Sequence, residues 1–383
     1  MDFRFTPEEE AFRAEVRAFL QQEVPADWDR AGGEEAFAFQ RRFVRKLAER
    51  GWLTLAWPKE YGGMGAGIMT QLIYNEELAS YGAPNPGIGV DRVGPSIMLY
   101  GTEEQKRRFL PPIVRGEVTW CQGFSEPVAG SDLASLQTRA VRDGDSYVIN
   151  GQKIWTSWAH RADWCILLAR TDPSAPKHRG ISYFLLDMRL PGVTVRPLYN
   201  MAGSHGFNEV FLEDVRVPAD CLLGEENRGW YIAAATLDFE RSGIHRLVAG
   251  ARVLERALAA ARESGAARRN PALRRRLADL RVELEVGRLL AYRVAWMQDR
   301  GMIPNAEASI SKLFGTEWQQ RLSRVGMEVL GLAGQLRPGS PRAPLGGRLS
   351  TYYLEAVSLT IAAGTSEINR NIIAQRGLGL PRA

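Results

Sequence analysis

The sequence predicts a multidomain α and β protein in which helices come first, short strands follow, and helices return. Three observations predict it. Apolar residues recur at helical spacing up to about residue 118 and again from about 228. Between about 119 and 227 the period shortens to that of strands. Gly/Pro clusters separate the runs. The 383 residues allow two or three domains. We divide them into an N-terminal α-helical domain (1–118), a central antiparallel β-barrel or sandwich (119–227) and a C-terminal α-helical domain (228–383).

In the first segment, Phe12, Val16, Phe19 and Leu20 share one helical face. Thr6-Pro7-Glu8-Glu9 reads as that helix's start: a hydroxyl cap, a proline in the first turn and acids at the positive end. The stretches 58–63 and 82–87 read as loops. In the second segment, residues 147–149, 164–168, 181–185, 193–195 and 210–212 are short β-rich runs, and Asn150-Gly151 reads as a hairpin turn. In the third, Asn270-Pro271 interrupts a helix and 334–347 reads as a loop. No GxGxxG follows a strand, and the element order speaks against a doubly wound nucleotide fold.

Composition narrows the class. Hydrophobic residues make up 45% and charged ones 24%, as in ordinary globular proteins. No apolar run of 18 residues predicts a membrane span, and the N-terminus lacks a secretory pattern. Cys121, Cys165 and Cys221 form no CxxC pair, so a reducing, cytoplasmic setting is expected. The net charge of +5 is mostly arginine, densest at 268–269 and 274–276. Acids at 279, 283 and 285 follow closely, which favours a solvated helix face over a nucleic-acid patch. Histidines 160, 178, 205 and 245 have no metal-ligand spacing, and no metal is expected.

Five motifs occur in order: GTEEQK (101–106), GFSEPVAGSD (123–132), NGQKIWTS (150–157), GEENRGW (224–230) and GTSEINRN (364–371). Together they resemble the acyl-CoA dehydrogenase family over essentially the whole chain. The resemblance implies that family's fold, with a four-helix-bundle-like C-terminal domain. It also implies FAD, α,β-dehydrogenation of an acyl-CoA thioester, and electron delivery to an electron-transferring flavoprotein. It places Phe124 and Ser125 at the flavin pyrimidine and N5 region, with Trp155, Thr156 and Ser157 stacking on or beside the ring. Thr365 and Glu367 join the cofactor contacts, and Ser131, Asp238 and Arg241 the substrate contacts. Some of these have plainer readings: Trp155 as a core aromatic, Ser131 as a turn or cap residue, and Thr365-Ser366-Glu367 as a helix start.

The family's catalytic glutamate often directly precedes the Gly-Thr of the last motif, where this chain has Ala363. Some relatives instead carry it in a Leu-Asp-x-Glu-Arg setting. Here that setting is LDFER (237–241), so Glu240 becomes the candidate general base. Trp230, Ala234, Leu237, Ile244, Val248 and Ala251 form a helical stripe, with Arg241 in phase and Glu240 on its flank. The resemblance leaves Ala363 a main-chain role, its N–H polarising the thioester carbonyl.

Three further departures stand out. Val128 replaces the usual glycine, the Phe-Gly element by which relatives share FAD across subunits is absent near 263–271, and Glu328 stands where relatives often have glutamine. The assembly implied is a homotetramer, or a mixed tetramer with a second dehydrogenase-like chain. Two alternatives stay open: a flavin oxidase or monooxygenase of the superfamily, and a non-catalytic partner subunit.

Overall fold

The structure is a computed structural model that describes residues 4–25, 28, 33–238 and 242–381. Its compact units do not follow chain order. One comprises residues 27–66 and 85–240; the other comprises 1–26, 67–84 and 241–383.

The first unit holds helices α2 (Gly33–Glu49), α4 (Gly94–Tyr100), α5 (Glu103–Val114) and α6 (Gly229–Asp238). Its eight strands are β1 (Trp120–Gly123), β2 (Arg139–Asp143), β3 (Ser146–Lys153), β4 (Trp164–Arg170), β5 (Ile181–Asp187), β6 (Val193–Leu198), β7 (Phe207–Pro218) and β8 (Leu222–Leu223). All five expected runs lie in strands. Their arrangement corrects the antiparallel barrel, however. The sheet runs β6-β7-β3-β2-β4-β5-β8, open rather than closed, and β1 pairs with β4 in parallel. The sheet is mixed because β1 enters beside β4, Trp120 opposite Trp164, from a distant part of the chain. β4 and β5 are buried along almost their whole length, as their near-continuous apolar runs require.

Asn150-Gly151 is not a hairpin turn. β3 runs straight through it, and the β2–β3 reversal falls at Gly144-Asp145. Gly151 is needed for close approach, since an added Cβ would lie 2.5 Å from Thr138 Oγ1 and 2.7 Å from its Cα. Asn150 braces an irregularity in β7: its amide donates to Asp214 Oδ1 and its carbonyl accepts Asp214 N–H. On α5, Thr102 and Gln105 form a capping box, and the Gln105 amide donates to the carbonyls of Asp220 and Leu222.

The second unit is helical: α1 (Pro7–Glu23), α3 (Ile68–Tyr81), α7 (Ile244–Glu263), α8 (Ala266–Arg269), α9 (Pro271–Asp299), α10 (Asn305–Leu330), α11 (Arg348–Leu359) and α12 (Ser366–Ile372). Thr6 caps α1 as expected, with Glu9 completing a capping box, and Asn270 caps α9 directly before Pro271. Helices α7, α9, α10 and α11 pack as a bundle around Trp318, which is fully buried and donates to the Leu280 carbonyl. Gly250 makes room for it: a Cβ there would lie 2.6 Å from the indole. Two buried carboxylates, Glu76 and Glu77, sit on Arg13 at 3.0 and 2.8 Å, and Tyr292 donates to Glu76. Such charges persist inside only when paired.

The single stripe read across 230–251 does not exist as one helix. α6 ends at Asp238, and α7 begins after Gly243, which is left-handed at φ 65°. Helical phase therefore gives no information about residue 240.

Candidate active site

In the strand-bearing unit, the GFSEP and NGQKIWTS segments lie side by side. Ile154 N–H donates to the Ser125 carbonyl at 2.9 Å. Below them, the Lys153 ammonium, fully buried, donates to the Phe124 carbonyl (3.1 Å) and to Glu126 Oε1 (2.8 Å). The Phe124 ring points into the core, edge-on to Tyr183, so Phe124 offers a ligand only its main chain. Ser125 is half-buried and Ser131 exposed. The departure at Val128 is accommodated because that side chain is 80% exposed.

Trp155 is not a core residue. It is 55% exposed, its ring stands edge-on to Phe207, and its backbone sits at φ 58°. A bulky residue rarely adopts that region, and such strain concentrates at functional sites. Neighbouring pairing holds it there: Thr156 N–H donates to the Asn208 carbonyl, the Asn208 side-chain amide donates to the Thr156 carbonyl, and Trp158 N–H donates to Gly206. The Thr156 hydroxyl is buried with no partner among the described residues. Ser157 is exposed beside it. A flat exposed ring next to an unsatisfied buried hydroxyl fits a flat, polar-edged cofactor such as a flavin.

Sequence reading missed the support behind this segment. His160 and His205 stack at 4.1 Å, and both rings contact Asn208 Oδ1. Burial, then the neighbouring His205, pushes His160 below its usual range. The buried Lys153–Glu126 pair was missed as well. No local spacing announces contacts between residues so far apart in sequence.

In the helical unit, Ala363 and Gly364 adopt successive left-handed conformations, φ 54° and 82°. Neither N–H donates to any acceptor among the described residues. Thr365 caps α12 by accepting from Ile368 N–H, so the helix-start reading holds for it. The Ser366 hydroxyl is buried without a partner. Glu367 is exposed, and its carboxyl is held below the usual range first by its own N–H and then by the Thr365 hydroxyl. Thr365, Ser366, Glu367, Arg321, Arg324 and Arg370 help line a polar groove of about 470 Å³. Glu328 is engaged by Arg276 through both carboxylate oxygens.

Glu240 and Arg241 lie outside the described residues, and for Asp238 the description covers the main chain only. No described helix is long and apolar enough to cross a membrane.

Comparison with known proteins agrees over the whole chain. Three family models match in order: acyl-CoA dehydrogenase N-terminal domain (6–117), middle domain (121–215) and C-terminal domain (227–378). Acyl-CoA dehydrogenase IpdE1 of Mycobacterium tuberculosis is 39% identical, over 97% of this chain and 98% of that protein. A solved structure described as Tcur3481-Tcur3483 steroid ACAD matches with TM-score 0.91 at 39% identity, over 100% of both chains. The ChsE4-ChsE5 complex from Mycobacterium tuberculosis matches with TM-score 0.89 at 39% identity, also over 100% of both chains. The family is generally flavin-dependent. By three domain matches in order and full-length identity, this chain belongs to the acyl-CoA dehydrogenase family of oxidoreductases.

Proposed function

We propose that the protein catalyses FAD-dependent α,β-dehydrogenation of an acyl-CoA thioester to the trans-2-enoyl-CoA. The observation that carries this reading is the strained, exposed Trp155 beside the unsatisfied Thr156 hydroxyl. Flavin, when bound, supplies the acceptor for the β-hydride. Trp155, Thr156 and Ser157 would hold its ring with the main chain of Phe124 and with Ser125; Thr365 and Glu367 would hold its polar parts. Glu240 takes the α-proton as general base. The free Ala363 N–H donates to the thioester carbonyl, where negative charge develops as that proton leaves. Asp238, Arg241 and Ser131 bind the acyl-CoA. The electrons pass on to an electron-transferring flavoprotein.

The match to a structure described as a steroid ACAD supports a steroid-type thioester as substrate. The paired names of that structure and of the ChsE4-ChsE5 complex favour assembly with a second dehydrogenase-like chain over a homotetramer.

The test is anaerobic mixing of the FAD-loaded protein with butyryl-, isovaleryl-, octanoyl- and steroid-side-chain acyl-CoA thioesters. Bleaching of the flavin by at least one of them is expected, fastest with the steroid type. A protein that takes up no FAD, alone or with a co-expressed partner, contradicts the reading. So does a flavin that none of the thioesters reduces.

A further inference from the structure

The Ala363 turn is pinned on both sides. Upstream, Ala362 N–H donates to the Ser358 carbonyl at 2.9 Å, at the end of α11. Downstream, the Gly364 carbonyl accepts from two side chains: Lys312 Nζ on α10 at 2.6 Å and Asn369 Nδ2 on α12 at 3.0 Å. Asn369 also donates to the Thr365 carbonyl, and Ser366 N–H donates to the Thr360 carbonyl. Ala363 lies between these anchors at φ 54°, a left-handed conformation that is strained for a non-glycine residue. A turn under that strain relaxes if an anchor is lost, and its free N–H groups then point elsewhere.

Lys312 is the stronger anchor, because a charged donor makes the tighter hydrogen bond. It is half-buried on α10. The charged groups around it are Arg246 on α7, Glu317 on α10 and Glu367 on α12, and both glutamates also contact Arg370. Burial first, then Arg246, pulls its ammonium down to about 8, with Glu317 and Glu367 opposing.

We propose that Lys312 is a positioning residue for the dehydrogenation: its ammonium grips the Gly364 carbonyl and thereby fixes the Ala363 N–H in its carbonyl-polarising orientation. This rests on the role given to Ala363 above. Lys312 acts through the turn, since the hydrogen bond its ammonium makes is to the Gly364 carbonyl. The grip is full while Lys312 is charged and weakens as pH rises through about 8.

The test compares FAD-loaded wild type, Lys312→Met and Lys312→Arg. Three readouts apply: hydrogen–deuterium exchange of the peptide spanning 357–368, the affinity for acyl-CoA, and the rate of flavin reduction by the panel thioester that reduces wild type fastest. In Lys312→Met, exchange in 357–368 quickens while other peptides keep their rates, and thioester affinity changes by less than about threefold. Its reduction rate falls on the order of 10²-fold, as when one such donor is lost. In Lys312→Arg, exchange stays near wild type, and the decline in rate that wild type shows above about pH 8 disappears. Wild-type exchange and rate in Lys312→Met would overturn the proposal, as would exchange that quickens throughout the chain. If Lys312→Met does not fold, Lys312→Arg decides by whether the alkaline decline is lost. If no thioester reduces wild type, the functional reading fails, and the exchange data alone decide whether Lys312 holds the turn.

Discussion

Lys153 and Glu126 form an ion pair at 2.8 Å inside the strand-bearing unit, with the ammonium fully buried and the glutamate 5% exposed. The carboxylate also accepts the N–H groups of Gln137 and Thr138. One pair thus ties the 124–126 segment to the end of β3, two residues before Trp155.

Removing one partner strands a buried charge, which typically costs about 3–5 kcal/mol. We expect Lys153→Met to lower unfolding stability by about that amount, measured by urea denaturation of the apo chain. A change near zero would show that the two backbone N–H groups satisfy the buried Glu126 carboxylate without Lys153.

The pair also sets an acid limit. Burial alone would raise the Glu126 carboxyl, but the Lys153 charge and the hydrogen bonds outweigh it, so the group titrates below its ordinary 4.5. A carboxylate depressed on folding adds stability above the unfolded value and loses it as pH falls through the folded one. We expect wild type to lose more stability than Glu126→Gln as pH falls from above 4.5 into that lower range. Parallel acid melts of the two proteins check this; equal slopes would count against it.

Trp155 separates cofactor binding from folding. Its ring is half-exposed, so Trp155→Ala should leave apo stability within about 0.5 kcal/mol of wild type, as for surface changes generally. FAD retention on gel filtration should drop sharply. If apo and FAD-loaded forms lose melting temperature equally, the ring is structural.

Gly151→Ala tests the corrected role of the Asn150-Gly151 pair. A turn glycine could be exchanged with local strain, whereas the new methyl here meets the Thr138 backbone. Overpacking of this kind costs about 1–3 kcal/mol, readable as a shift in the urea midpoint.

Local chemistry made much of the fold legible. Thr6 marked a helix start because the cap hydroxyl and the Glu9 N–H it accepts from lie within one turn. The strands of 164–168 and 181–185 were visible as apolar runs. Sheet topology was not, because Trp120 and Trp164 meet across 44 residues without any local signature. The helix break at Gly243 was hidden because residues 230–237 and 244–251 happen to keep phase. At the site, Trp155 was legible only through its motif, and its strained backbone is a tertiary fact. The Lys312–Gly364 contact spans 52 residues and joins a side chain to a carbonyl, which sequence pattern does not encode.

The central claim is that Glu240 is the base that Ala363 is not. Glu240→Gln keeps the side chain's size and hydrogen bonding but removes the proton acceptor. We expect the variant to fold, bind FAD and bind acyl-CoA like wild type. Its rate of flavin reduction in anaerobic stopped flow should fall by at least about 10²–10⁴-fold. Reduction at near the wild-type rate would contradict the account and move the base to another residue or to a partner chain.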